Sequence, residues 1–262
     1  MSNRLSLKSI LNDKVSGSSE LLEKLNRYFL QNVTQPEKIR RNIKTLKDKL
    51  PQFSAITNYI AKVEKLLDQK DIKGLKIFLK EFNKGKDNSY SAIYNNARRD
   101  IINFNKVLTL SNSRTLLEVF KLWHKENKRL KIIVCESRPK NEGLIFAKGL
   151  AKAGIKAEVI TDASISNFIE KVDAVIVGAD KILGNGNLVN KTGSRNAAII
   201  CKHFRKPFYV LTTIDKFTKE DHFKQKNENS DDILKTKDKK ITIYNYYFEE
   251  IEKSLITKVI TD

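Results

Sequence analysis

Apolar positions in the C-terminal half of the chain fall in short runs rich in β-branched residues, each stopped by a polar or glycine-bearing loop. Lys131-Ile-Ile-Val134 stops at Glu136-Ser-Arg-Pro139, residues 157–160 stop at Thr161-Asp162, and residues 174–177 stop at Gly178-Ala-Asp180. Such runs predict buried strands. Between them, residues 142–153 place Leu144, Ile145, Ala147, Leu150 and Ala151 at helical spacing before Gly154, which supplies a stop. A short helix is expected over 164–171, a helix over 194–204 and a strand over 208–211. Gly184-Asn-Gly186 punctuates a loop leading to Leu188-Val189. Strands separated by helices predict parallel pairing with right-handed crossovers.

The N-terminal part has a different rhythm. Residues 1–100 show no strand-like alternation and predict helices over 18–30, 36–50, 53–67 and 72–82, with breaks at Gln35-Pro36, Leu50-Pro51 and Gly85-Lys86. Ser18 or Ser19 is expected as N-cap, with Glu20 and Glu23 in the first turn where carboxylates suit the helix dipole. Leu21, Leu22, Leu25, Tyr28 and Phe29 supply the buried stripe. The fold class is therefore α/β, an N-terminal helical bundle over residues 1–100 followed by a Rossmann-like parallel-sheet domain over residues 101–262. A length of 262 residues is enough to bury a sizeable core in each.

Composition changes this picture little. The formal net charge is +19, of which residues 1–100 carry +10, with 21 Lys and Arg against 11 Asp and Glu. A basic surface attracts polyanions, so RNA, an acidic protein or phosphorylated metabolites are the partner classes it admits. No RNA motif and no aromatic platform is evident, which argues against nucleic acid. Lys-rich helices are more often solvated faces, and abundant Lys and Glu with few Cys and Met suits a heat-adapted protein. Cys135 and Cys201 provide neither metal spacing nor a disulfide framework, so no metal or other cofactor is expected. The N-terminus lacks the apolar core of a signal peptide and no run reaches membrane-span length, so a cytoplasmic protein is expected. Residues 219–240 are polar and read as an exposed, mobile loop.

The candidate chemistry lies where the predicted strands end, since open parallel sheets bind ligands outside the carboxyl ends of their strands. Arg138 offers a planar fork for a phosphate dianion. Gly17, Ser18 and Ser19 offer backbone donors at a helix N-terminus, a second anion site. Lys191 adds a positive charge, Asn190 is suited to a sugar hydroxyl, and Gly193-Ser194 opens another helix. Taken singly, Arg138 reads as a surface ion pair and Gly17 as an ordinary helix start. His124, His203 and His222 fall outside these constellations.

In order and spacing, Val107-Leu-Thr-Leu-Ser-Asn-Ser-Arg114, Cys135-Glu-Ser-Arg-Pro139, Gly178-Ala-Asp180, Asn190-Lys-Thr-Gly-Ser194 and Lys206-Pro-Phe-Tyr-Val210 resemble one superfamily. It joins the alpha, beta and delta subunits of translation initiation factor 2B to archaeal ribose-1,5-bisphosphate isomerases and methylthioribose-1-phosphate isomerases. Val15-Ser-Gly-Ser-Ser-Glu20 looks like its N-terminal phosphate loop, and residues 255–261 look like its closing strand. The resemblance implies a ribose-5-phosphate isomerase-like sheet, a phosphosugar or nucleotide pocket, a dimer or hexamer, and initiation factor 2 as a candidate partner.

In the isomerases of that superfamily an aspartate and a cysteine move hydrogen between two carbons. Asp180 matches the aspartate; the cysteine position is Ser111, a far weaker acid. Two readings follow: a regulatory initiation factor 2B subunit-like protein with a ligand pocket, and a ribose-1,5-bisphosphate isomerase of nucleotide salvage. Cys135 reads as a buried residue more readily than as a substitute acid, and Cys201 reads as core.

Overall fold

The computed structural model describes residues 5–13 and 16–262. Val15, the first residue of the N-terminal loop motif, lies outside them. Among the described residues five helices come first: α1 (Leu7–Leu11), α2 (Ser18–Gln31), α3 (Pro36–Lys49), α4 (Ser54–Asp68) and α5 (Ile72–Ile101). Pro36 sits in the first turn of α3, where its missing N–H costs nothing, and Pro51 follows the C-cap Leu50. Ile39, Ile43 and Leu46 of α3 pack with Leu21, Leu25 and Phe29 of α2 and Ile56, Ile60 and Val63 of α4 in one apolar core.

The expected break at Gly85-Lys86 is not made. Helix α5 runs unbroken for 30 residues, with Leu75, Leu79, Tyr90, Ile93, Tyr94, Ala97 and Ile101 buried along it. A helical glycine costs about 1 kcal/mol relative to Ala, less than that long buried stripe returns. Its first turns complete the helical core, and its last turns pack on the sheet.

Nine strands and four further helices follow: β1 (Lys106–Thr109), α6 (Arg114–Glu126), β2 (Lys131–Cys135), α7 (Glu142–Lys152), β3 (Lys156–Ile160), α8 (Ile165–Phe168), β4 (Ala174–Val177), β5 (Lys181–Ile182), β6 (Leu188–Lys191), α9 (Ser194–His203), β7 (Phe208–Leu211), β8 (Phe248–Ile251) and β9 (Lys258–Ile260). Six strands form one parallel sheet in the order β3-β2-β1-β4-β7-β9. Alternate residues of each strand feed two cores. Val107, Ile132, Val134 and Ile176 meet Phe120, Trp123 and Phe146, while Leu108, Ile133, Val175 and Val177 meet Ala197, Ala198 and Cys201 of α9. Burial on both faces is why these strands read as continuous apolar runs.

Parallel pairing covers only part of the molecule. Strands β5, β6 and β8 make a separate antiparallel sheet in that order. Lys181–Ile182 is too short, and Phe-Glu-Glu-Ile at 248–251 too polar, to give a strand signature. The expected helix over 164–171 is a mixture, α8 flanked by 3-10 turns at Asp162–Ser164 and Ile169–Lys171. The closing strand is β9, at the sheet edge beside β7.

Candidate functional site

Strand order determines where a crevice opens. From β1 the chain moves outward through β2 and β3, and from β4 it moves the other way through β7 and β9, so the direction reverses between β1 and β4. Loops leaving the carboxyl ends of two such strands diverge and leave room for a ligand. Residues 110–114 leave β1 and residues 178–180 leave β4. Both stretches line a cleft of about 970 Å³, open solvent at its mouth included.

The helical region closes the other side. Gly17, Ser18 and Ser19, at the start of α2, face into the cleft. Gly17 is the N-cap of α2, one residue before the serines expected in that role. A methyl group on its Cα would lie 2.6 Å from the carbonyl oxygen of Asn112, so glycine lets the helix start press against the β1 loop. Ser54, first residue of α4, donates to the carbonyls of Asp180 (3.1 Å) and Lys216 (2.7 Å). Asn58 of the same helix donates to the Asp215 carbonyl at 2.8 Å.

Asp180 is the centre of this arrangement, half-buried where it lines the cleft. The Ser18 hydroxyl donates to its Oδ1 at 3.1 Å. Lys216 Nζ donates to Ser18 Oγ and, at 3.0 Å, to the Ala179 carbonyl. Burial holds the Asp180 carboxyl above the usual carboxylate range, against the opposing pull of Lys216, Ser18 and Lys191. Burial likewise lowers the Lys216 ammonium, although Asp180 and Asp215 pull it upward. Both shifts have one cause, removal of water from a charged pair.

Asn190 and Lys191, at the end of β6, are buried in the same cleft. Asn190 Nδ2 donates to Ser194 Oγ at 2.9 Å. Lys191 is 2 % exposed; its ammonium donates to Glu142 Oε1 at 2.8 Å and lies 5.0 Å from the Tyr247 ring centre. Its charge is thus already balanced, and the second oxygen of Glu142 is buried without a hydrogen-bond partner among the described residues.

Ser111 lines the cleft in a left-handed conformation, φ 68°, and its N–H donates to Ser137 Oγ at 2.7 Å. Among the described residues no base contacts its hydroxyl. Cys135 and Cys201 are buried in the sheet's cores, and burial pushes each thiol up to about 12. Neither lines the cleft.

Arg138 is not brought to this site. It follows β2, one strand away from the reversal, and its side chain is exposed outside the cleft. The backbone amides there are taken as well, since Ser137 and Arg138 donate their N–H groups to Asp162 Oδ1 and Oδ2 at 2.8 and 2.7 Å. The opening of α9 is filled in the same way. Gly193 and Arg195 donate to Glu249 Oε1 at 2.7 and 2.8 Å.

Sequence reasoning passed over Lys216, Glu142, Tyr247 and Lys226 as cleft residues. For Lys216 a signal existed: Thr212-Thr213-Ile214-Asp215-Lys216 follows the strand at 208–211, at the carboxyl end where ligands gather. Lys226 and Tyr247 had none, because they reach the cleft from the long polar segment between β7 and β8. That segment is exposed over much of its length but tethered: Glu228 N–H donates to the Asn245 carbonyl at 2.7 Å, and Asp232 receives both Lys140 and the Tyr247 hydroxyl. Among the described residues no group of three or more His, Cys, Asp or Glu is placed to hold a metal ion, and no helix is long and apolar enough to cross a membrane.

Comparison with known proteins places the fold in a family. The model of the Initiation factor 2 subunit family matches residues 7–262. The ribose 1,5-bisphosphate isomerase of Archaeoglobus fulgidus is 42 % identical over 112 residues, 43 % of this chain and 36 % of that protein. The enzyme of the same name from Methanocaldococcus jannaschii is 33 % identical over 162 residues, 60 % of this chain and 53 % of that protein. The matched part thus spans only about a third to a half of the length of these two relatives. Among solved structures, the translation initiation factor eIF-2B of Pyrococcus horikoshii superposes with a TM-score of 0.81 at 25 % identity, covering 97 % of this chain and 93 % of that one. Its helical region, its parallel sheet and a family match running almost from end to end establish that the chain belongs to the Initiation factor 2 subunit family.

Proposed function

We propose that this protein is a regulatory, initiation factor 2B subunit-like member of the family that binds a phosphosugar or nucleotide in the cleft without turning it over. The observation that carries this reading is Ser111. It stands at the cysteine position of the isomerases it resembles, and its hydroxyl has no base among the described residues to raise its acidity. The remainder of the cleft suits ligand binding. The α2 N-terminus offers bare amides and a positive dipole end, Lys49 and Arg114 lie at the walls, and Asn190 and Glu142 offer acceptors to hydroxyls. In this reading residues 1–100 and 101–262 act as two units that hold the ligand between them. Self-association into a dimer or hexamer and an encounter with initiation factor 2 are parts of the same proposal.

The second reading, a ribose 1,5-bisphosphate isomerase, is favoured by one observation. Asp180 is a half-buried carboxyl with a raised proton affinity beside a lysine, a setting suited to a general acid or base. A phosphorus NMR time course with ribose 1,5-bisphosphate separates the two. Broadened substrate resonances without product support the regulator. Appearance of ribulose 1,5-bisphosphate overturns it and establishes turnover.

A further inference from the structure

The end of the sheet opposite the cleft has an unusual charge pattern. Lys106, Lys131 and Lys156 each open a strand, β1, β2 and β3, and the parallel register aligns Lys106 with Lys131 and Lys131 with Lys156. Three lysines therefore stand side by side on one face of adjacent strands, in steps of about 4.8 Å. Like charges directly opposite one another in a sheet repel. Lys106 has a counter-ion, Glu158, at 2.9 Å. Lys131 and Lys156 have none among the described residues, and neither do Lys128 and Arg129, which the turn before β2 brings to the same place. The five cations line a concavity of about 800 Å³, open solvent included, and no carboxylate is among its lining residues.

This arrangement is built rather than loose. Asn127 Nδ2 donates to the Phe104 carbonyl at 2.9 Å, and Asn127 Oδ1 accepts from the Arg129 amide at 3.0 Å, which holds the turn carrying Lys128 and Arg129. The Lys131 amide donates to the Asn105 carbonyl at 2.8 Å. Gly154, at φ 77°, makes the tight turn that delivers Lys156. The nearby carboxylate of Asp173 accepts from the amides of Asn105 and Lys106 at 2.8 and 2.9 Å and forms no ion pair with the ladder lysines.

We propose that this lysine ladder, with Lys128 and Arg129, is a second binding site of the protein and takes a compact polyphosphate anion. Several phosphate groups within one small molecule match several cations across about 10 Å of sheet, two strand spacings. No aromatic side chain lines the concavity, so the stacking surface that single-stranded nucleic acid uses is missing. The site lies at the amino ends of the strands, so its occupation does not require an occupied cleft.

Calorimetry of the full chain with sodium tripolyphosphate tests this. Three proteins are compared: the wild type, a Lys131→Gln/Lys156→Gln double variant, and the cleft variant Lys191→Gln. We expect the ladder variant to bind at least tenfold more weakly and the cleft variant to bind like the wild type. Loss confined to the cleft variant would place the anion in the cleft, and equal binding by all three would make the ladder a solvated surface; either result overturns the proposal. Tighter ladder-dependent binding of a 15-nucleotide single-stranded RNA than of tripolyphosphate also overturns it. Thermal unfolding is the second readout. Without anion the ladder variant should melt no earlier than the wild type, because a repulsion has been removed, and tripolyphosphate should raise the midpoint of the wild type and not of the ladder variant.

Discussion

The openings of α2 and α9 look alike in sequence, Gly-Ser-Ser and Gly-Ser-Arg, and the structure gives them opposite roles. At α9 the first amides are capped by Glu249, a carboxylate arriving from β8. At α2 no acceptor among the described residues takes the amides of Ser18 and Ser19, and both residues line the cleft. The loop at 136–138 sides with α9, because Asp162 fills it. A glycine- or serine-rich helix opening becomes an anion site only when the fold leaves its donors bare. That is decided by a carboxylate remote in sequence, 54 to 56 residues away for Glu249 and 24 or 25 for Asp162.

The largest test of this contrast is Gly143→Ala at the start of α7. The new methyl would fall 1.8 Å from the Cys135 carbonyl oxygen, and the overpacking should cost about 3 kcal/mol of stability by chemical denaturation. A near-neutral variant would mean that α7 does not pack against the end of β2 as described, and that the loop has room for a ligand after all. Next, Glu249→Ala strips the cap from α9 and should cost about 1–2 kcal/mol. If its carboxylate is what excludes anions there, sulfate should stabilise the variant more than the wild type, and an unchanged sulfate response would break the contrast.

A smaller effect is expected from pH. The Asp180 carboxyl is raised above 3.8, so its contribution to stability is fully present below that value and is lost as pH rises through the folded-state pKa. Asp180→Asn should flatten the dependence of unfolding free energy on pH in that acid window, whatever constant offset follows from leaving Lys216 without its counter-charge. An unaltered slope would show that Asp180 titrates as an ordinary surface carboxyl. The smallest change belongs to Arg138→Ala. With its side chain exposed outside the cleft, stability should move by less than about 0.5 kcal/mol and calorimetric phosphosugar affinity should not change. A tenfold loss of affinity would restore Arg138 to the site and place the ligand across β2.

Much of the fold was legible because burial leaves a periodic trace. The strand runs at 131–134 and 174–177, and the helix opened by Pro36 and closed before Pro51, appear where their patterns put them. The break expected at Gly85 fails because a local cost of about 1 kcal/mol is smaller than the packing along α5. The antiparallel sheet leaves no trace, since β5 has two residues and β8 is half polar. Within the candidate site, Gly17, Ser18, Ser19, Ser111, Asp180, Asn190 and Lys191 all line the one cleft. Arg138 does not, because it follows the strand next to the reversal rather than one flanking it.

The sequence by itself determined most helices of the N-terminal part, the strands at 131–134, 157–160, 174–177 and 208–211, and the polar loops that end them. Each depends on short-range periodicity and turn chemistry. Tertiary structure alone decided which of those loops are open to a ligand and which are sealed by Asp162 or Glu249. It also decided that Lys216 meets Ser18 across 198 residues of chain and that three separate lysines stand in register. Charge pairing and desolvation act through space, and spacing along the chain does not encode them.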